Sequence, residues 1–559
     1  MKNPPKIKLA AERQALEQRY ALQRRDARLT LVLGFVSIAA LFWYYAHQQI
    51  LLYGDAVAHI NIARRVMDNR SWLSSFFQLG TVWLPLPHIL MLPFVWNKLL
   101  WVSGVAGSVP SMAAYVFGSL GIFRLVSARL SQGAAYLATA IYALTPNLLY
   151  MQSTAMNEPL FLAFMIWAIV RFDEWLRGLA AEADSERPAE RALEGCGIAL
   201  AGGAATRYDG WFFGAILGLL VLGAFVRWWR KTPDAQRRRR MAKSLVEFVL
   251  LNALVPAFWL AYNHRVSGRA MDWANGPYSA KAIAERTTAK GAPPYPGKDH
   301  PLTAGLYFLK AAKLNVGPER WGDALLWLAV AGTAVAIGRW RTFRTWLLLW
   351  VPLLFYALSI AYGSVPIFIP VWWPFSYYNV RYGLELLPVF AVFPVLWGLW
   401  LAERVGTSRR KVVVWSVLTL VVAASYLSVY ASVPITLKEA QVNARTRMIL
   451  EQALSRYLAK LPPGTTLLMY EGEHVGALQQ AGIPLRSVIS EVSHPDWEWG
   501  LLDPAGQADV VVAFKGDPVW MAAQQHRGEL TEELIITVPE QAKVAIYRST
   551  RRGNATPAH

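Results

Sequence analysis

The chain has 559 residues, of which 55% are hydrophobic and only 17% charged, with a formal net charge of +19. This composition excludes an ordinary soluble multidomain protein and favours a membrane protein with many spanning helices. The positive charge does not indicate nucleic-acid binding, because the basic residues fall in short clusters between apolar runs, as in cytoplasmic loops. The only cysteine is Cys196, so an internal disulfide is excluded.

The N-terminal region is basic. Residues 1–28 carry eight Lys and Arg residues and no long apolar run. Residues 29–52 form the first run that can cross a bilayer, for which about 20 residues suffice. No small-residue cleavage site follows this run, so the pattern predicts a cytoplasmic segment at 1–28 and an uncleaved signal anchor after it.

Further apolar runs follow as far as residue 430. They lie at residues 109–127, 133–150, 159–176, 194–206, 211–229, 245–263, 321–337, 345–361, 385–402 and 412–430. Together with the anchor they predict a transmembrane domain over 29–430 with about eleven helices.

The stretch "VWLPLPHILMLPFVWNKLLW" (82–101) decides the topology. It is apolar but contains three prolines, a histidine and a lysine. If it does not span, the basic segments between the later runs all lie inside the cell. If it spans, they all lie outside, against the positive-inside rule. We therefore predict an interfacial or re-entrant segment within a long external loop, 53–108, and a chain with its N-terminus inside and its C-terminus outside.

The hydropathy changes after residue 430. Residues 439–459 are typical of a helix, and four short apolar segments are typical of buried strands: "TTLLMY", "ADVVVAFKGD", "ELIITV" and "KVAIYRS". Residues 431–559 are therefore predicted to form a soluble extracytoplasmic α/β domain.

The segment "GDAVAHINIARRVMDN" (54–69) directly follows the first predicted span. If it is helical, Asp55 and His59 share one apolar face, while Arg64 and Asp68 lie on the other with the spacing of an ion pair. A carboxylate and a histidine on an apolar face suit a protein cavity beside the membrane. The alternative is that Asp55 only caps the helix.

Three other segments place charged groups at the external ends of predicted spans. They are "STAMNEPLF" (153–161) with Glu158, "ATRYDGWFF" (205–213) with Arg207 and Asp209, and "FSYYNVRYGLELLP" (375–388) with Arg381, Tyr382 and Glu385. An arginine at such a place can hold a phosphate through its planar fork. The alternatives are a helix-terminus acid for Glu158, an ion pair between Arg207 and Asp209, and an Arg381 that extends to the membrane surface.

The external loop 264–320 is long and rich in Pro and Gly, which is typical of a mobile element that covers a substrate. Three histidines on the external side, His88, His264 and His300, do not have the spacing of a zinc motif.

These segments together resemble the GT-C glycosyltransferases, membrane enzymes whose donor is a lipid-phosphate-linked sugar. "GDAVAHINIARRVMDN" resembles the start of their first external loop, "LPLPHILML" the proline-rich segment that follows, and "STAMNEP" their second external loop. "TRYDGW" and "NVRYGLELLP" resemble segments of family 39, the protein O-mannosyltransferases and aminoarabinose transferases. The resemblance covers roughly residues 29–430, in the order and sidedness of the segments.

The resemblance implies roles for these residues. Asp55 and Glu158 match the catalytic acids, with Asp55 as the base, and the donor phosphate is expected to bind Arg207 and Arg381. A divalent cation, Mg²⁺ or Mn²⁺, bridging Asp55 and Glu158 is a further expectation, since hard cations prefer oxygen ligands. The remaining candidates for substrate binding are His59, His88, Asp209 and Tyr382.

The chain also differs from the sequence motifs of the families that it resembles. Asp55 is followed by Ala56, where the protein O-mannosyltransferases typically have Asp-Glu. Glu158 stands alone, where the oligosaccharyltransferases have Asp-x-Asp, and "DWEWG" (496–500) is not their Trp-Trp-Asp motif. The subfamily therefore stays open, and the acceptor can be a lipid, a glycan or a protein.

The predicted function is an inverting displacement at the extracytoplasmic face of the cell (inner) membrane. Polyprenyl phosphate leaves the sugar, and a carboxylate takes the proton of the acceptor hydroxyl. Two alternatives from other classes are a transporter or flippase of lipid-linked saccharides and an assembly protein whose external domain binds partners. A transporter places its polar groups near the bilayer midplane, whereas the charges here lie at the external boundary.

Overall fold

The computed structural model describes residues 6–69, 75, 77–180, 188–287, 291–472 and 474–552. Most of these residues are helical. The helices of the first half are α1 (Lys6–Ala46), α2 (Gly54–Met67), α3 (Leu86–Val95), α4 (Lys98–Ser103), α5 (Val105–Ser127), α6 (Gln132–Ala143), α7 (Pro146–Met151), α8 (Glu158–Ala180), α9 (Pro188–Ala204), α10 (Asp209–Lys231) and α11 (Ala235–Ser267).

The next helices lead to the C-terminal part of the chain. They are α12 (Asp272–Asn275), α13 (Ala280–Thr287), α14 (Pro301–Val316), α15 (Glu319–Gly338), α16 (Trp340–Phe343), α17 (Val351–Tyr362), α18 (Leu387–Arg404), α19 (Ser408–Ala431) and α20 (Ile435–Leu458). A 3₁₀ turn, Val380–Leu386, precedes α18 directly.

Seven helical segments among the described residues are long and apolar enough to cross a bilayer. They are Arg24–Ala46, Val105–Ser127, Asp209–Lys231, Ala235–Ser267, Glu319–Gly338, Val380–Arg404 and Ser408–Leu458. The chain is therefore a polytopic α-helical membrane protein. The other four predicted spans fall on helices that are shorter or carry more charges, so the count of eleven and the orientation stay predictions.

The proline-rich stretch 82–101 forms two short helices, α3 and α4. α3 has ten residues, which extend over about 15 Å, half the thickness of a bilayer core. α4 is separate because the side chain of Asn97 accepts from the backbone N–H groups of Leu99 and Leu100 and so starts a new helix. Neither helix is long enough to span the membrane.

The segment 264–320, predicted as an external loop, is more helical than its Pro and Gly content suggests. α14 takes up sixteen of its residues and packs against α17 and the 3₁₀ turn. Its buried residues include Ala304, Phe308, Ala311 and Asn315, which recur at helical spacing. The Pro and Gly residues of the loop lie mainly before α14, and their number concealed this periodicity.

The C-terminal part contains a mixed five-stranded sheet. Its elements are β1 (Leu467–Met469), α21 (Val475–Ala481), β2 (Val488–Ile489), α22 (Asp496–Leu502), α23 (Pro504–Gln507), β3 (Val510–Phe514), α24 (Pro518–Gln525), β4 (Leu530–Ile536) and β5 (Val544–Ser549). The strand order is β2-β1-β3-β5-β4, parallel among the first three and antiparallel from β3 onward. β1, β3 and β5 fall within predicted segments, β4 begins three residues before its segment, and the two-residue β2 was not predicted.

The helix bundle and the sheet share one hydrophobic core. A single cluster of buried side chains continues from residues of the bundle, such as Tyr150 and Phe390, to residues of the sheet, such as Leu467 and Val510. α20 lies between the two parts and contacts α7, the 3₁₀ turn and α21. The C-terminal part is therefore packed against the elements that build the site described below.

Candidate active site

A cavity of about 800 Å³ lies where α2, α8, α10, α17 and the 3₁₀ turn meet. Its wall combines charged and aromatic side chains. The ionisable groups on the wall other than tyrosines are Asp55, His59, Glu158, Arg207, Asp209, Lys281 and Arg381. Seven of the eight predicted site residues line this cavity, and His88 does not.

Arg381 is the centre of one half of the charged cluster. Its Nη2 donates to Asp55 Oδ2 at 2.6 Å and its Nη1 donates to Glu439 Oε1 at 2.9 Å. Its Nε lies 3.3 Å from Glu158 Oε1. One guanidinium is thus shared by three carboxylates from three different helices.

Arg207 is the centre of the other half. Its Nη1 donates to Glu158 Oε1 at 3.1 Å and its Nε donates to Asp209 Oδ2 at 3.0 Å. Its Nη2 donates to the hydroxyl of Tyr356 at 2.8 Å and lies 3.3 Å from Glu385 Oε1. Glu158 therefore joins the two halves, because one of its oxygens is near both arginines.

Tyr382 lies close to both guanidinium groups. The Cζ atoms of Arg207 and Arg381 each lie 5.0 Å from the centroid of its ring. An aromatic ring attracts a cation at this distance, so Tyr382 stabilises two like charges that would otherwise repel each other.

The local sequence explains how Arg381 reaches the cluster. Asn379 has a positive φ of 55°, a conformation that Asn tolerates, and its side chain donates to the carbonyl of Pro366 at 2.9 Å. Gly383 packs so closely on α14 that a Cβ would lie 2.5 Å from the backbone nitrogen of Ala312. The conformation of Asn379 and the close packing of Gly383 hold the 3₁₀ turn against α14. Arg381 therefore points into the charged cluster.

The tight connection between α9 and α10 places Arg207 and Asp209. A Cβ on Gly210 would lie 2.4 Å from the carbonyl oxygen of Gly203, so only glycine permits this approach of the two helices. Asp209 begins α10 and accepts from the backbone N–H of Gly210 at 3.0 Å. The ion pair between Arg207 and Asp209, which was the alternative interpretation of these residues, is present. It is part of a larger cluster in the cavity wall.

The cluster contains more acids than cations. Five carboxylates, from Asp55, Glu158, Asp209, Glu385 and Glu439, surround two guanidinium groups. Buried polar atoms normally have partners. Among the described residues, however, Oε2 of Glu158 and Oε2 of Glu385 have none. The site thus has more carboxyl groups than guanidinium groups, and two carboxyl oxygens without a hydrogen-bond partner among the described residues.

Asp55 is not a helix cap. α2 begins at Gly54 with Tyr53 as its N-cap, and no side chain caps it. The carboxylate of Asp55 instead turns to Arg381 and is 41% exposed, whereas Glu158 is fully buried. The alternative interpretation of Asp55 is therefore wrong, and the carboxylate faces the cavity.

His59 and His88 form a buried hydrogen-bonded pair. Asn157 Nδ2 donates to His59 Nε2 at 3.0 Å, so the proton of a neutral His59 lies on Nδ1, which donates to His88 Nε2 at 2.9 Å. Burial, with a further contribution from Arg207 and Arg381, lowers the pKa of His59 to about 3. His88 lies behind His59 and does not line the cavity, although the sequence made it a candidate for substrate binding.

Residues of the segment 264–320 line one side of the cavity. Trp273 of α12 stacks on Tyr208 with ring centroids 4.1 Å apart, and Asp272 accepts from the hydroxyl of Thr81 at 2.7 Å. Lys281 of α13 also lines the cavity. Unlike Arg207 and Arg381, it has no ion pair among the described residues. The loop therefore brings a cation to the cavity that the sequence did not indicate.

The donor set does not fit a metal ion. In the described part of the chain, no group of three or more His, Cys, Asp and Glu side chains has an arrangement that could hold one. The guanidinium of Arg381 approaches both Asp55 and Glu158, at 2.6 and 3.3 Å. An arginine thus stands where the sequence suggested a bridging cation.

Three side chains of the cluster were not among the predicted site residues. Glu439 lies in α20, beyond the last predicted span, and Tyr356 lies in the middle of an apolar run. Glu385 was noted at the boundary but was given no role. An acid at the first position of an apolar run is the signal that could have found Glu385, whereas nothing local distinguishes Glu439 from Glu451, the other acid of its helix.

Comparison with known proteins agrees with this architecture. Residues 108–267 match the family described as dolichyl-phosphate-mannose-protein mannosyltransferase. No curated protein matches the chain. The crystal structure of ArnT from Cupriavidus metallidurans in the apo state is similar, with a TM-score of 0.54, 13% identity, and coverage of 97% of this chain and 100% of that one. The structure of the same protein bound to undecaprenyl phosphate gives a TM-score of 0.52 and 12% identity, covering 94% and 98% of the two chains.

The likeness to ArnT extends over nearly the whole chain, including α20 and the sheet, and at this level of identity it shows a shared fold. The family match covers the shorter stretch from α5 to α11. The chain therefore resembles the GT-C superfamily of membrane glycosyltransferases and, within that superfamily, family 39.

Proposed function

We propose that the chain is a glycosyltransferase that moves a sugar from a polyprenyl-phosphate donor to an acceptor at the extracytoplasmic face of the membrane. One observation carries the proposal: a partly exposed carboxylate, Asp55, shares a cavity with an apolar wall built from membrane helices. The family match, named for dolichyl-phosphate-mannose, and the ArnT structure bound to undecaprenyl phosphate support a lipid-phosphate donor.

The apolar wall suits a polyprenyl chain. Phe212 of α10 and Phe355, Leu358 and Tyr362 of α17 line the cavity. Leu358 and Tyr362 are exposed on the bundle surface, so the wall continues toward the lipid. Each methylene that leaves water contributes about 0.8 kcal/mol, which favours binding of a long isoprenoid at this wall.

Asp55 is the proposed base. Its Oδ2 accepts from Arg381, and its Oδ1 has no hydrogen-bond partner among the described residues. The acceptor hydroxyl gives its proton to Asp55 while its oxygen attacks the anomeric carbon. The bond between that carbon and the phosphate oxygen breaks, the phosphate leaves with the electron pair, and the configuration at the carbon inverts.

The leaving phosphate needs a cation that is not already neutralised. Arg207 and Arg381 are each surrounded by carboxylates, whereas Lys281 reaches the cavity without such a partner among the described residues. We assign Lys281 to the phosphate, because the charges of Arg207 and Arg381 are taken up by the carboxylates around them. Glu158 uses one oxygen for the arginines, and its unpartnered Oε2 is available to orient a hydroxyl of the acceptor.

The test uses the purified full chain in proteoliposomes with a membrane extract from cells that lack it. Mass spectrometry of lipids and glycans before and after incubation should show one sugar moved from a polyprenyl phosphate to an acceptor. Asp55→Asn should abolish the transfer, whereas Asp323→Asn should not, because Asp323 is a comparably exposed acid that is paired with Lys313 outside the cavity. Movement of intact lipid-linked saccharide across the vesicles, with no transfer, would establish a transporter instead.

A further inference from the structure

Glu439 is a buried acid that the C-terminal part of the chain contributes to the cavity cluster. It is fully buried, and both of its oxygens are bound to Arg381: Oε1 accepts from Nη1 at 2.9 Å and Oε2 from the backbone N–H at 3.1 Å. The hydroxyl of Tyr53, two residues before Asp55, lies 3.3 Å from the same Oε2. Glu439 thus holds both the side chain and the backbone of Arg381.

The first turn of α20 fixes Glu439 in place. Both the backbone N–H and the hydroxyl of Thr436 donate to Asn147 Oδ1, at 2.9 and 2.8 Å. Tyr53 donates to the carbonyl of Thr436 at 2.8 Å, and Asn147 in turn donates to the carbonyl of Asn315. These bonds attach α20 to α7, to α14 and to the segment before α2, so the position of Glu439 is set by the surrounding helices.

We propose that Glu439 is a positioning residue for the sugar transfer, and that it acts through Arg381. This inference rests on the function proposed above. With Nη1 held by Glu439, the guanidinium reaches Asp55 through Nη2 alone. Its charge is divided among Glu439, Glu158 and Asp55, and the Asp55 carboxylate therefore keeps the capacity to take a proton.

Neutralising Glu439 has two effects of opposite sign. Arg381 then gives more of its charge to Asp55, which becomes a poorer proton acceptor, so kcat falls. At the same time the site loses the carboxylate of Glu439, so an anionic phosphate is repelled less and binds more tightly. Mere damage to the fold would weaken both catalysis and binding.

The experiment compares Glu439→Gln with the wild-type full chain in detergent. We expect kcat to fall about tenfold or more, as for a weakened general base. We expect the Kd for undecaprenyl phosphate, used as the probe, to fall by at least about threefold. The matched control is Asp173→Asn: Asp173 is also a buried acid that accepts from two arginines, Arg129 and Arg177, at 2.6 and 3.1 Å. It lies about 22 Å from Glu158 along α8 and should change neither constant.

The possible outcomes separate the two proposals. Phosphate binding that weakens together with kcat, or that does not change, overturns the role of Glu439. If Glu439→Gln does not fold, Glu439→Asp replaces it: the charge is kept, so phosphate affinity should equal that of wild type while kcat falls because the shorter side chain no longer reaches Arg381. An unchanged kcat in that variant overturns the inference. Failure of the wild-type chain to transfer sugar refutes the proposed function, and the phosphate affinities still report on the charge at Glu439.

Discussion

Arg381 donates to Asp55 over 2.6 Å, although the two residues are 326 positions apart in the sequence. The bond connects α2 to the 3₁₀ turn before α18. It holds the Asp55 carboxylate in one orientation before any substrate binds. Such preorganisation is the condition for an efficient general base, because no reorganisation is then needed during the reaction.

The first prediction concerns Asp55 itself. Asp55→Asn should lower kcat by about 10²- to 10⁴-fold, the usual contribution of general-base catalysis. The melting temperature should change little, because Asp55 is 41% exposed and makes one ion pair. Steady-state transfer assays and thermal melts of purified protein provide the measurements. A variant that retains more than half of the wild-type kcat would show that another group takes the proton.

Substitution of Lys281 should change the KM for the donor more than it changes kcat. Lys281→Gln should raise the KM for the polyprenyl-phosphate donor about tenfold, as expected for the loss of one charge-assisted contact, with a much smaller change in kcat. Lys281→Arg should restore most of the affinity. Lys298, another exposed residue of the same loop, does not line the cavity, so Lys298→Gln is the control. Equal effects of the two glutamine substitutions would place the phosphate elsewhere.

Removal of divalent metal ions should leave the activity intact. Arg381 contacts both Asp55 and Glu158, so the charge that a bridging ion would bring is already supplied by a guanidinium. After treatment with EDTA and gel filtration, the transfer rate should stay within about twofold of the untreated rate, less than the effect expected from losing a Lewis acid. A loss of activity that Mg²⁺ or Mn²⁺ restores would contradict this prediction.

His59 should make the protein less stable in acid. Its folded-state pKa of about 3 lies below the ordinary value of 6.5, because burial and the two nearby arginines disfavour the charged ring. Its contribution to stability is therefore complete above pH 6.5 and is lost as the pH falls from 6.5 toward 3. Between pH 7 and pH 4.5, the melting temperature should fall less in His59→Gln than in wild type. His300→Gln, at an exposed histidine, should behave as wild type does.

The cavity residues also show how much of the site could be predicted from the sequence. Asp55, Glu158, Arg207 and Arg381 could be predicted because each stands at the end of an apolar run, where an ionisable group is conspicuous. Glu439 could not, because α20 contains two acids and four basic residues at positions that do not show which of them is buried, and the tertiary packing alone brings Glu439 to Arg381. Local patterns show where helices begin and end, whereas the partners of a charge depend on contacts between distant segments.

The histidine pair and Lys281 are further examples of contacts that cannot be predicted from the sequence. The sequence places His59 on the face of α2 that carries Asp55, and the structure agrees. The sequence cannot show that His88 lies behind His59, because the position of His88 depends on the angle at which α3 packs on α2. Lys281 was overlooked because a lysine in a charged, irregular loop has no distinguishing neighbours, and only the position of α13 over the cavity makes it notable.

Glu158 and Asp173 stand near opposite ends of α8 and offer a matched comparison. Each is buried and neutralises two arginines, so either amide substitution should destabilise the fold by about 3–5 kcal/mol, as is typical when one partner of a buried ion pair is removed. Only Glu158→Gln should also lower the activity per folded molecule, because it removes the negative charge shared by Arg207 and Arg381 at the cavity wall. The measurement combines thermal melts with transfer rates normalised to folded protein. If the two variants lose stability equally and keep equal specific activity, Glu158 serves only the fold.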